Sequence, residues 1–247
     1  MEAYALTDVG QKRSMNQDSV YACTKSIGSL ENLFIVADGM GGHQAGDFAS
    51  NFVVENLVRF FETPYPERDV HGILKEGIRK VNRDLYECTS RDPKLNGAGS
   101  TLVLATIKGS VLYVANIGDS RLYLLREALE QITKDHSYVE ELVAMGKLKR
   151  GSRDYLEKKN IITRAVGVSE QVDTDLFALK LKSGDQILMC SDGLSNMVDE
   201  LEIEYIIRSE DGVESRAKAL VDAANRSGGL DNISVVLVEP QISEVSL

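Results

Sequence analysis

Short β-branched runs that stop at aspartate are the feature that most narrows what this chain can become. Strand-like segments occur at residues 19–24, 33–37, 101–108, 111–117, 121–125, 186–191 and 233–238, each short and bounded by turn residues. Asp18 immediately precedes the first run and Asp38 immediately follows the second. Gly118-Asp119 closes a hairpin that turns at Lys108-Gly109, Asp192 follows the run from Gln186, and Asp231 stands just before the run from Ile233. Strands joined by short loops pair antiparallel, so the start of one lies beside the end of the next. Asp18 and Asp38 are therefore expected to be neighbours, and such pairing can bring all five aspartates to one edge.

Helical spacing of apolar residues predicts a helix over 44–62, with Phe48, Phe52, Leu57 and Phe60 near one face. A second is predicted over 70–87, from Leu74, Ile78, Val81 and Leu85. Further helices are expected around 138–147, 200–207 and 213–225. With 43% hydrophobic and 27% charged residues and no low-complexity linker, the 247 residues read as one domain spanning 1–247.

A formal net charge of -10 disfavours nucleic acid as a partner, whereas converging carboxylates suit a hard cation. Cys23, Cys88 and Cys190 are odd in number and unrelated in spacing, which points to a reducing compartment. No basic start precedes an apolar core, and no apolar run approaches the roughly 18 residues of a membrane span. A cytoplasmic location is expected.

Any single Asp-Gly after an apolar run is adequately explained as a turn. Five together weaken that explanation. Asp38-Gly39 also continues into Met40-Gly41-Gly42-His43, and glycine's entropic cost is accepted where backbone must bend sharply or approach a ligand closely. A glycine-rich start to a helix is the structural alternative.

Seven blocks occur in a set order: Arg13-Ser14-Met15-Asn16-Gln17-Asp18, Ala37-Asp38-Gly39-Met40-Gly41-Gly42-His43, Gly99-Ser100-Thr101, Asn116-Ile117-Gly118-Asp119-Ser120-Arg121, Ile162-Thr163-Arg164-Ala165-Val166-Gly167, Ser191-Asp192-Gly193-Leu194 and Asp231-Asn232-Ile233-Ser234. Together they resemble the protein phosphatase 2C-like family, the metal-dependent PPM phosphatases, and its bacterial branch especially. The resemblance implies an α+β fold, a four-layer αββα sandwich of two antiparallel sheets flanked by helices. It implies hydrolysis of phosphoserine and phosphothreonine in proteins, reversing a cognate Ser/Thr kinase in bacterial signalling, by a monomer. Two or three Mn²⁺ or Mg²⁺ ions are implied. By similarity Asp38 bridges two of them, the Gly39 carbonyl binds one, and Asp192 and Asp231 hold the other side. Asp119 is associated with a third, and Asp18 contributes directly or through water. Arg13 corresponds to the family's phosphate-binding arginine. His43 is the candidate general acid, although eukaryotic members carry their histidine two residues after the bridging aspartate, where this chain has Met40. Residues 134–167 correspond to a flap bordering the site.

The chemistry of the side chains agrees with that reading. Carboxylate and carbonyl ligands suit Mg²⁺ or Mn²⁺. Zinc is disfavoured because His43, His71 and His136 are widely separated with no cysteine at ligand spacing; His71 and His136 read as surface or packing residues. Phosphate monoesters are so inert that enzymatic accelerations reach on the order of 10²¹. No cysteine sits in a phosphate-cradling loop, and Cys190 reads as a buried strand residue. Two cations roughly 3.5–4 Å apart can share a water and lower its pKa, which makes a metal-bridged hydroxide the expected nucleophile. The planar fork of Arg13 can meet two phosphoryl oxygens. Lys147, Lys149, Arg150 and Arg153 could steer an acidic phosphopeptide or form a solvated face. Two alternatives are a phosphopeptide-binding pseudophosphatase, opposed by the presence of every expected metal aspartate, and a metal hydrolase of a small phosphorylated metabolite.

Overall fold

The structure, a computed structural model, describes residues 1–42, 44–65, 69–209 and 211–242. In chain order its strands are β1 (Glu2–Asp8), β2 (Asp18–Cys23), β3 (Leu33–Met40), β4 (Gly99–Ser100), β5 (Leu102–Lys108), β6 (Val111–Ile117), β7 (Arg121–Leu125), β8 (Leu129–Gln131), β9 (Asp175–Lys180), β10 (Gln186–Cys190) and β11 (Ile233–Glu239). The helices are α1 (Ala45–Glu62), α2 (Val70–Arg91), α3 (Tyr138–Ala144), α4 (Arg153–Lys158), α5 (Asp192–Ser195), α6 (Glu200–Ile207) and α7 (Val213–Arg226). One sheet runs β1-β11-β10-β7-β8 and the other β2-β3-β5-β6-β9, with β4 also paired to β3.

Alternation along the central strands builds the layers, because successive side chains leave a strand on opposite faces. On β3, Leu33, Ile35 and Ala37 join Leu57 of α1 and Leu74, Ile78 and Leu85 of α2 in one core. Phe34 and Val36, one residue out of step, instead meet Leu122, Ile187, Met189 and Val236 of the opposite sheet. A third core packs Leu188, Val235 and Leu237 under Ile203 of α6 and Leu220 of α7. Three cores separate four layers, the αββα sandwich that the sequence led us to expect. Leu57, Leu74 and Leu85 are fully buried, each contributing about 1.5–3 kcal/mol relative to exposure.

Four strands were not expected from the sequence: β1, β4, β8 and β9. Three of these lie at sheet edges, where one backbone side has no ladder partner and the side-chain pattern is correspondingly loose. α3 stops at Ala144, short of the expected 147, because Gly146 takes a φ of 69° and its N–H turns back to Val143 O. Among the described residues no helix is long and apolar enough to cross a membrane, and the three cysteines are free.

Candidate metal centre

Asp18 and Asp38 stand directly opposite each other in the β2–β3 ladder. The sequence placed Asp38 just past its strand; it lies inside β3, because Gly39 and Met40 go on to pair with Ser100 and Gly99 of β4. That extra pairing immobilises the Asp38 backbone. Its N–H donates to Thr101 Oγ1 at 2.9 Å, and Thr101 Oγ1 shares a hydrogen bond of 2.7 Å with Ser120 Oγ. Gly39 is fixed by crowding: a Cβ there would stand 2.0 Å from the Gly46 carbonyl oxygen.

The opposite sheet supplies the remaining acids. Asp192 opens α5 two residues after the end of β10, and Asp231 stands two residues before β11. Ser191 Oγ donates to Asp18 Oδ2 at 2.7 Å and accepts the Ser234 N–H at 3.0 Å, so one hydroxyl joins an aspartate of one sheet to the backbone of the other. Buried Asn232 is a second clip. Its Oδ1 accepts the Gln17 N–H at 2.8 Å and its Nδ2 donates to the carbonyls of Val9 and Met15, each at 2.9 Å. Asn16 Oδ1 accepts the Asp18 N–H at 3.1 Å. Ser191, Ser234, Asn16 and Asn232 received no role from the sequence; the signal available was a polar side chain next to an apolar strand, as in Ser234 within Ile-Ser-Val-Val.

These acids feel one another. Burial pushes Asp18 up to about 7, against the hydrogen bonds of Ser191 and Ser234 and with the charges of Asp192 and Asp231. Burial raises Asp38 well above the usual carboxylate range, reinforced by Asp18, Asp192, Asp119 and Asp231. Asp119 is pushed up to about 7 by burial and then by Asp192 and Asp135. Asp192 reaches about 6 through burial and Asp231, with Lys159, Arg121 and Arg13 pulling the other way. Five acids from both sheets therefore share one electrostatic neighbourhood. Among the described residues no three His, Cys, Asp or Glu side chains close on a single ligation point, as mutual repulsion leads one to expect.

The residues fit a hard divalent cation. Asp192 Oδ1 is buried with no hydrogen-bond partner among the described residues, the kind of orphan a ligand explains. The donors are all oxygens, and the raised carboxylates mark a place short of positive charge. Arg13 is at the same edge, its Nη2 bonded to Asp231 Oδ2 at 2.7 Å. Asp119 and Asp192 line a cleft of about 170 Å³ together with Tyr155, Lys159 and Asn196. His43 lies outside the described residues. Cys190 is fully buried, its thiol pushed up to about 12 by burial, which removes it as a nucleophile. His136 is buried too, its Nδ1 accepting the Gly118 N–H at 3.1 Å.

A family model described as Protein phosphatase 2C matches residues 9–227. The chain belongs to the protein phosphatase 2C family. Within it, the chain is 38% identical over 257 residues to the serine/threonine phosphatase stp of Listeria monocytogenes serotype 4b, covering 99% of this chain and 98% of that one. It is 40% identical over 242 residues to the protein phosphatase PhpP of Streptococcus pneumoniae, covering 96% and 97%. The crystal structure of the catalytic domain of the serine threonine protein phosphatase PstP in complex with two manganese ions superposes with a TM-score of 0.83 at 35% identity, over 96% of each chain.

Proposed function

We infer that this protein is a metal-dependent protein-serine/threonine phosphatase of bacterial signalling, which hydrolyses phosphate monoesters on phosphorylated proteins. The observation that carries the reading is the Asp18–Asp38 register pair, surrounded by the mutually interacting Asp119, Asp192 and Asp231. The two manganese ions held by the related PstP catalytic domain support the same choice of cofactor. Asp38 would bridge two cations with the Gly39 carbonyl on one of them. Asp192 and Asp231 would hold the other side, Asp119 a further ion, and Asp18 would act directly or through water. Bound there, Mn²⁺ or Mg²⁺ would supply Lewis-acid polarisation and an activated water.

The chain's own contributions are positional and electrostatic. The Thr101–Ser120 pair and the β4 ladder keep Asp38 in place, and rigid placement is where much of the rate of such a reaction originates. Arg13, half-exposed, can exchange the Asp231 carboxylate for two phosphoryl oxygens, since its fork fits either. His43 is assigned as proton donor to the leaving alkoxide on its place in the sequence block. The 134–167 flap borders the cleft through Tyr155 and Lys159. A cytoplasmic monomer opposing a Ser/Thr kinase completes the proposal, with the free cysteines supporting the location.

The test is phosphate release from a phosphothreonine peptide with Mn²⁺, with Mg²⁺ and with chelator. Release is expected with either metal and none after exhaustive chelation. Full activity without metal would overturn the reading.

A further inference from the structure

We propose that α6 carries a docking face, outside the metal centre, for a basic, leucine-bearing segment of the substrate protein. That this substrate is a phosphoprotein rests on the phosphatase reading above. Ile203 and Ile207 are buried and fix the inner side of α6. A step of two residues turns a helix by about 200°, so Leu201 and Tyr205 come out on the far side, neighbours at one-turn spacing. They are the most exposed large apolar side chains among the described residues, at 82% and 80%. Single apolar residues at a surface are ordinary. Two that adjoin on one helix face make a patch, and tyrosine is enriched where proteins meet.

The charges around the patch decide its occupant. Asp199, Glu200 and Glu202 are exposed at the start of α6, and Glu127 and Glu130 are exposed at the adjoining β7–β8 hairpin. That hairpin is tied to α6 by the Leu129 N–H, which donates to Glu204 Oε2 at 2.9 Å. The nearby arginines are already engaged, Arg208 with Glu204 and Arg126 with Asp185, whereas none of the five acids is in an ion pair with a described residue. Carboxylates without counter-ions select lysine and arginine in a partner. They repel an anionic bilayer, and they repel a second copy of this chain, whose net charge is -10. Glu200 also leads toward the metal centre. It lines a cleft of about 730 Å³ with Arg121, Asp135 and Tyr155, and those three residues also line the cleft of Asp119 and Asp192. A chain lying along α6 therefore has an open path to the site.

The experiment compares wild type with the double variant Leu201→Gln/Tyr205→Gln and with Glu130→Gln/Glu202→Gln, changes of exposed side chains that keep good helix formers on α6. A fluorescent lysine–leucine peptide without phosphate is titrated by anisotropy. Wild type should bind it saturably, and the apolar variant should bind about tenfold more weakly, as expected for the loss of two buried anchors. The charge variant should bind more weakly at low salt, with the difference closing as salt screens it. A lysine–serine peptide should bind wild type and the apolar variant equally weakly. The lysine–leucine tail is then joined by a flexible Gly/Ser linker to a phosphothreonine peptide and assayed with Mn²⁺. In wild type the tail should lower KM and leave kcat unchanged, because docking raises the local concentration of the phosphothreonine. The apolar variant should lose that advantage and turn over the untailed peptide like wild type. Equal lysine–leucine binding by wild type and the apolar variant, or a tail that leaves KM unchanged, would overturn the proposal. So would self-association in sedimentation, or binding to anionic vesicles, that the apolar variant abolishes, since either gives the patch to another occupant. Turnover of neither peptide, with the binding difference intact, would instead overturn the phosphatase reading.

Discussion

Asp18 and Asp38 are cross-strand partners, one the first residue of β2 and the other inside β3; burial raises the pKa of both, and the charge of Asp18 raises that of Asp38 further. Like charges directly opposite on a ladder destabilise a sheet. The pair lies at the same end of the sandwich as Asp119, Asp192 and Asp231, where the proposed cations would offset the repulsion.

Asp38→Asn should lower turnover by at least about 100-fold, beyond the 10- to 100-fold loss typical of outer-shell partners of metal ligands. The same change should stabilise the metal-free protein by removing a repelled charge. An increase of about 1 kcal/mol would raise Tm by about 2–4 °C. Scanning calorimetry in chelator checks this, and a lower Tm would contradict the repulsion argument.

Metal-free protein should become more stable as pH falls from 7.5 to 5.5. Asp18 and Asp119 hold their protons to about 7 and Asp192 to about 6, whereas an unfolded aspartate releases its proton near 3.8. Between those values the folded state binds more protons, so stability falls with rising pH; the penalty is complete above about 7 and absent well below 3.8. Saturating Mn²⁺ should reverse the slope, since its ligands must be deprotonated. Calorimetry at three pH values, with and without metal, is the measurement.

Ser191→Ala removes the hydroxyl that joins Asp18 to the Ser234 N–H and leaves a buried donor unpaired. A loss of about 1–3 kcal/mol is expected, read as a lower urea midpoint. Mn²⁺ affinity should fall with it, because Asp18 loses the partner that fixes its carboxylate. Unchanged values for both would reduce the Ser191 bond to an incidental contact.

The glycines of residues 39–42 should respond differently to an added methyl group. Gly39→Ala meets backbone oxygen at 2.0 Å, whereas the Cβ of Gly42→Ala meets no described atom within 4 Å. The first should cost about 1–3 kcal/mol or more with loss of turnover, and the second should stay within about 0.5 kcal/mol. Gly193→Ala belongs with the first, its Cβ falling 1.8 Å from Asn232 O. Urea unfolding of the three variants separates them.

Much of this was legible in the chain itself. The Val/Ile/Leu runs at 33–37, 111–117 and 233–238 are strands because β-branched and apolar side chains suit a pleated, buried surface, and α6 occupies the 200–207 segment that its pattern predicted. Antiparallel logic alone made Asp18 and Asp38 neighbours, since a hairpin is a local object. Tertiary structure decided what is not local. Asp18 and Ser191 are 173 positions apart, and nothing in either segment says that the β2 and β10 ends of two different sheets will meet. The same holds for Asn232 reaching Val9, Met15 and Gln17, for Lys159 meeting Asn196, and for the β4 pairing that carries β3 past Asp38. The sequence specifies which side chains each strand presents. How the two sheets stack decides which of them come close enough to change one another's charge.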